Sequence, residues 1–212
     1  MDEPFVPQPA SGLVAGVPLR ALQAGAGAAA CLLLGWFAFV RGARVPLLSL
    51  VDLGFHEMGH MLMMWAPRLV YFAAGSANQI LVPLGLAAYF FVIRRDAVGG
   101  GLCLAWAGTS AQNVSVYIAD APYQLLPLIG GLHDWAFILG PAHLNMLGSA
   151  HAIAGAVKVF GLLCLLGGLG TCCWTAVAAV RSSRAARGRV STADRTAPSR
   201  PPATRDPVDL WR

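Results

Sequence analysis

Long uncharged stretches dominate this chain. No charged residue occurs between Arg68 and Arg94, or between Asp96 and Asp120. With 57% apolar and only 12% charged residues, the sequence is too apolar for a water-soluble domain. A helix needs about 20 mainly apolar residues to cross a bilayer, and several segments approach or exceed that length. We therefore predict an all-α, polytopic membrane helix bundle whose outer surface contacts membrane lipids.

Proline, arginine and aspartate residues interrupt the apolar pattern and divide it into about five transmembrane helices. The predicted spans cover residues 22–40, 45–66, 76–93, 98–119 and a stretch within 152–180. Residues 121–150 are rich in Pro and Gly and contain no apolar run of sufficient length. We expect them to form an outer loop with a short interfacial or re-entrant helix near residues 135–147.

Three regions follow from this pattern. We predict an irregular N-terminal arm (1–20), a transmembrane metal-site domain (21–180) and a disordered, basic Arg/Pro-rich tail (181–212). The tail holds eight Arg and three Asp, which accounts for the whole net charge of +5. Because the net positive charge comes entirely from this tail, the tail suggests a membrane surface as its partner and no nucleic acid.

The distribution of Lys and Arg predicts the orientation. With five spans and the tail inside, twelve Lys and Arg residues lie on the inner side and three on the outer side. Positive residues accumulate on the cytoplasmic side of membrane proteins. We therefore expect a multi-pass protein of a bacterial cell membrane with a cytoplasmic C-terminal tail.

The second predicted span contains the segment His56-Glu57-Met-Gly-His60. On a helix, residues four apart lie on the same face, so both imidazoles could bind one Zn²⁺. Glu57 would then act as general base, as in the His-Glu-x-x-His metalloproteases. Ionisable residues are costly inside a membrane and indicate a functional site by default. The alternative is a set of hydrogen bonds that only hold helices together.

A catalytic zinc site usually has three protein ligands and one open position. Asp120, at the end of the fourth span, is the preferred third ligand because of its residue type and depth. His133 and Asp134, in the following outer segment, are the alternatives. Asp52 lies one helical turn before His56, so we expect it to accept the free N–H of a ligating histidine.

These residues resemble the site-2 proteases, which are intramembrane zinc metalloproteases. The first motif of that family, His-Glu-x-Gly-His, is matched in full by residues 56–60. Gly75-Ser-Ala-Asn78 is similar to the Gly-Pro-x-x-Asn segment that follows it. Asn113 and Asp120 are similar to an Asn that precedes a ligating Asp, although Asp120 lies between two Ala residues and not in Leu-Asp-Gly. The resemblance covers about residues 50–121.

The residues and the resemblance together lead us to expect a membrane-embedded zinc metallopeptidase that cleaves a transmembrane or juxtamembrane peptide. Asn78 and Asn113 could hold the substrate or the oxyanion through their amides, or could form interhelical hydrogen bonds. Two other functions remain open. The same cluster could bind or transport a metal without catalysis, or the chain could be an inactive, protease-like scaffold.

Overall fold

The structure, a computed structural model, describes residues 13–14, 17–42, 44–129 and 131–196. Two short antiparallel strands, β1 (Leu13–Val14) and β2 (Val17–Pro18), precede the first helix. The helices are α1 (Leu19–Gly35), α2 (Leu48–Leu62), α3 (Arg68–Val92), α4 (Ala97–Asp120), α5 (Asp134–Leu139) and α6 (Ala150–Thr196). A π-helical turn (Trp36–Val40) extends α1, and a 3₁₀ turn (Leu147–Ser149) precedes α6. The predicted all-α architecture is therefore confirmed for the described part of the chain.

Among the described residues, three helices are long and apolar enough to cross a membrane. They cover Leu19–Val40, Arg68–Val92 and Leu147–Arg187. The prediction of a membrane protein is thus supported, while the count of five spans remains a prediction. The predicted span at 45–66 contains only the 15 residues of α2, which measure about 22 Å at 1.5 Å per residue. That is shorter than the hydrocarbon core of about 30 Å.

Helix α4 lies at the centre of the bundle. It packs against α6, α3 and α1, and its buried face carries small and polar residues that include Thr109, Ser110 and Gln112. Because neighbouring helices cover this face, α4 does not need the apolar surface that lipid contact would require. This arrangement explains why α4 is less apolar than the helices that surround it.

The close packing of α4 on α6 depends on glycine at two facing positions. A Cβ atom at residue 108 would lie 2.5 Å from the backbone oxygen of Gly161, and one at residue 161 would lie 2.7 Å from the oxygen of Gly108. Backbone atoms of the two helices therefore touch where these glycines meet. No side chain can be added at either position unless the helices separate.

We expect Gly108→Ala to lower the melting temperature of the purified protein in detergent, because the added Cβ forces α4 and α6 apart. Gly155→Ala on α6 is the matched control, since a Cβ there has no atom within 4 Å. Alanine favours helix over glycine by about 1 kcal/mol, so the control should be neutral or stabilising. An equal effect of both changes on the melting curve would contradict this packing.

The ends of the chain differ from the prediction in part. Helix α6 continues to Thr196, whereas disorder was predicted from residue 181. Ala and Arg are good helix formers, and no Pro occurs between Pro141 and Pro198, so no proline interrupts the helix beyond residue 181. Residues 197–212, and residues 1–12 of the predicted arm, lie outside the described residues. The predicted helix near 135–147 is shorter than expected and comprises α5 alone.

Candidate metal centre

Helix α2 brings two buried histidines together. His56 and His60 lie one helical turn apart, with ring centroids separated by 4.8 Å and both side chains buried. Their Nε2 atoms are 3.1 Å apart. The four-residue spacing therefore places both imidazoles on one face, as the sequence predicts, and directs the same ring nitrogen of each toward a common point.

Asp134, the first residue of α5, supplies a third atom at this point. Its Oδ2 lies 2.9 Å from His56 Nε2 and 3.3 Å from His60 Nε2. Ligands about 2.0–2.1 Å from a tetrahedral zinc ion are separated from each other by about 3.3 Å. The observed triangle is within a few tenths of an ångström of that spacing. The buried group of His56, His60 and Asp134 could therefore bind a metal ion.

Hydrogen bonds to the other ring nitrogens assign the tautomers of the two histidines. His60 Nδ1 is 2.9 Å from the backbone oxygen of Tyr71, which can only accept, so Nδ1 carries the proton. His56 Nδ1 is 3.3 Å from Gln79 Oε1, which also accepts. In the neutral imidazoles both Nε2 atoms therefore present lone pairs to the Asp134 carboxylate. Three such electron-pair donors can share either a proton or a metal ion between them.

Gly75 on α3 leaves room beside these donors. A Cβ atom at this position would lie 2.5 Å from His60 Nε2 and 2.7 Å from His56 Nε2. Any other residue would place a carbon atom directly against the two nitrogens. The space at the centre of the donor set therefore depends on a glycine at position 75.

The charge of Asp134 suits metal binding. Burial alone would raise the pKa of its carboxyl group, but hydrogen bonds from His56 and His60, which form when a ring also carries a proton on Nε2, outweigh burial and hold this pKa below its ordinary value. The group is therefore ionised at neutral pH, as a metal ligand must be. Among the alternatives predicted for the third ligand, Asp134 is the residue that the structure places in the group.

Asp120, the preferred third ligand in the sequence, has different partners. Its two carboxylate oxygens accept the backbone N–H groups of Leu125 and Leu126, each at 3.1 Å. His133, the other alternative, points its Nε2 at Asp120 Oδ2 at 3.3 Å. Asp120 ends α4 and binds the loop that follows, so its oxygens do not join the His56 and His60 pair. In the structure, therefore, Asp134 and not Asp120 joins His56 and His60 in the group that could bind a metal ion, which we call the metal-binding group.

Asp52 also differs from its predicted role. Its Oδ1 accepts hydrogen bonds from Trp106 Nε1 and Ser110 Oγ, both at 2.8 Å. These contacts tie α2 to α4. The N–H groups of the two histidines are taken instead by Gln79 and by the carbonyl group of Tyr71. Helical spacing placed Asp52 on the correct face of α2 but could not reveal the donors that α4 presents to it.

The two asparagines have separate environments. Asn78 Nδ2 donates to the backbone oxygen of Phe55 at 2.6 Å, which is an interhelical hydrogen bond between α3 and α2. Asn113 Oδ1 accepts from Gln79 Nε2 at 3.1 Å and lines the cavity beside the histidines. Asn113 is therefore connected to His56 through Gln79, and its role toward a substrate remains a prediction.

A cavity of about 830 Å³ extends from the metal-binding group along α2. Ligand sites in proteins commonly measure about 300–1,000 Å³. Glu57 lines this cavity together with the three members of the group, and its carboxylate makes no hydrogen bond to a described residue. Other polar side chains on its wall include Asp52, Gln79, Thr109, Gln112 and Asn113. The cavity can therefore hold a ligand that carries several polar groups.

Gln79 was not identified from the sequence as part of the site, although its polar side chain within an apolar helix could have indicated it. It is an uncharged polar residue inside the apolar helix α3, next to Asn78, and it bridges His56 and Asn113. Polar residues are uncommon in such segments and tend to be functional. Tyr71 contributes through its backbone oxygen, which no side-chain pattern can reveal.

The fold and the site together define an α-helical protein with three helices able to cross a membrane and a buried His-His-Asp group that could bind a metal ion. No family model, curated protein or solved structure matches the chain.

Proposed function

We propose that this protein is a membrane-embedded zinc metallopeptidase related to the site-2 proteases. The observation that carries the proposal is the convergence of His56 Nε2, His60 Nε2 and Asp134 Oδ2 in the cavity that Glu57 also lines. Two histidines and one carboxylate, with a further position left open, form the ligand set of many zinc peptidases. Glu57, next to His56, would be the general base that hydrolysis also requires.

Zinc is the metal that this donor set suits best. Imidazole nitrogens and a carboxylate oxygen are its common non-sulfur ligands. Cysteine and methionine, which would favour a softer metal, contribute no atom to the group. Both Nδ1 atoms are fixed by hydrogen bonds to acceptors, which orients the rings and increases their basicity.

The proposed reaction is hydrolysis of a peptide bond. When bound, zinc would polarise the scissile carbonyl group and make water acidic enough to be deprotonated near neutral pH. Glu57 would accept the proton of the attacking water and deliver it to the leaving amine. Asn113 and Gln79, which face the same cavity, would donate amide N–H groups to carbonyl oxygens of an extended substrate.

The proposed substrate is a transmembrane or juxtamembrane peptide. The cavity follows α2, which lies beside helices that can cross a membrane, so a substrate would enter from the bilayer or its surface. We further propose a multi-pass location in a bacterial cell membrane with the C-terminal tail in the cytoplasm, a proposal that the excess of Arg in residues 181–212 supports.

Metal analysis of the purified full chain tests the proposal. We expect about one zinc ion per chain in the wild type and almost none in His56→Ala/His60→Ala, because two of the three ligands are lost. His143→Ala/His151→Ala, which removes two histidines outside the group, should keep its zinc. Because protons compete for the same nitrogens, zinc affinity should fall as the pH is lowered.

A wild type that binds no zinc after reconstitution would contradict the proposal. Equal zinc content in the two double variants would also contradict it, because the metal would then be held elsewhere.

A further inference from the structure

Asp134 is the member of the metal-binding group that a loop supplies. The other two members lie on a single helix and are fixed relative to each other. Asp134 begins the six-residue helix α5, which follows a long connection from α4. A short helix on a loop does not by itself hold a ligand to the precision that a metal site requires, so other groups must fix its position.

The end of α4 provides these groups. The Tyr117 hydroxyl accepts the backbone N–H of Asp134 at 3.1 Å, and its ring stacks on His133 with centroids 4.2 Å apart. One turn later, Asp120 Oδ2 faces His133 Nε2 at 3.3 Å. His133, the residue directly before Asp134, therefore contacts both Tyr117 and Asp120 of α4.

His133 uses its two ring nitrogens differently. Nδ1 accepts the backbone N–H of Ala136 at 3.2 Å, which caps the N-terminus of α5. Nδ1 must then be unprotonated, so the proton of the neutral ring is on Nε2. This buried Nε2 makes no directed hydrogen bond to a described residue, and the carboxylate of Asp120 is the group opposite it.

We propose that Asp120 and His133 are positioning residues for the metal, which set the location and direction of the Asp134 carboxylate. Asp120 binds the loop after α4 through Leu125 and Leu126 and attracts the Nε2–H of His133. His133 in turn caps α5 at the residue before the ligand. The inference rests on the proposed metal site, and it gives the half-buried Asp120 a function without direct contact to the metal.

The test uses full-length protein in detergent, reconstituted with Co²⁺, whose visible absorption depends on coordination geometry. The variants are Asp120→Asn, His133→Asn and the combination of both, with His151→Ala as control. Asn is a good N-cap residue, so His133→Asn retains the cap of α5 but loses the contact with Asp120. His151 binds Tyr123 outside the metal-binding group.

We expect each single variant to bind one Co²⁺ with affinity lowered roughly 10–100-fold, the usual effect of losing a group that orients a ligand. Relative to the wild type, the Co²⁺ absorption bands should shift in the same direction in Asp120→Asn and in His133→Asn. Because the two residues act through one contact, the losses should not add in the combined variant. The His151→Ala control should match the wild type in affinity and spectrum.

Two results would overturn the inference and leave the proposed function intact. One is a wild-type spectrum and affinity in His133→Asn, which would show that His133 only caps α5. The other is full additivity of the two losses, which would show that the residues act independently. Failure of the wild type to bind Co²⁺ would instead refute the metal site and the inference together. Circular dichroism of each variant confirms that the helices are retained.

Discussion

Replacement of Glu57 by Gln should leave zinc bound and lower peptide hydrolysis at least about a hundredfold, the low end of what general-base catalysis supplies. Gln has nearly the same size and hydrogen-bonding capacity as Glu, but it cannot accept the proton of the attacking water. Glu57 lines the cavity and is not a member of the metal-binding group, so the metal should not depend on it.

The measurement combines zinc content with cleavage of a library of internally quenched fluorogenic peptides in detergent. Asp96→Asn is the matched control, because it also removes one carboxylate charge. Asp96 caps α4 through Val98 N, and Asn caps a helix as well as Asp does, so both zinc content and cleavage should remain at the wild-type level.

The outcome also separates an enzyme from a metal-binding or metal-transport protein. In a binder, Glu57 would help to hold or pass the ion, and Glu57→Gln would lose zinc. In a peptidase, only hydrolysis is lost. Cleavage at the wild-type rate in Glu57→Gln would contradict the proposed role of this residue, and loss of zinc would favour binding or transport.

The sequence predicted the parts of the site that depend on local geometry. Helical periodicity alone places His56 and His60 on one face, and the structure has them in contact. The choice between Asp120 and Asp134 depends on the path of the chain between α4 and α5. Residue spacing carries no information about that path, because the loop has no period, and both carboxylates were expected on the same side of the membrane.

The partners of Asp52 and the length of α2 are further features that residue spacing and composition could not predict. Asp52 points at Trp106 and Ser110, which are brought to it by the packing of another helix. Helix α2 ends at Leu62, before a turn that leads to Pro67, although apolar residues continue to residue 66. Composition measures how apolar a segment is, but the turn that ends a helix is decided by tertiary contacts and by the next proline.

Gly75→Ala should abolish stoichiometric zinc binding with little change in helix content. The new Cβ would lie 2.5 Å from His60 Nε2 and 2.7 Å from His56 Nε2, too close for van der Waals contact. Neither ring can turn away freely, because its Nδ1 atom is tied to Tyr71 or Gln79. The added methyl group must therefore displace the histidines or occupy the space that the ion needs.

Gly85→Ala, on the same helix α3, is the matched control for this change. A Cβ at residue 85 has no atom within 4 Å, and it brings the same gain in helix propensity, about 1 kcal/mol. We expect Gly85→Ala to bind one zinc ion with wild-type affinity, while Gly75→Ala binds none at the same free zinc concentration in a competition titration. Full zinc binding by Gly75→Ala would mean that the ion does not lie between the two Nε2 atoms, because that space is the one the methyl group fills.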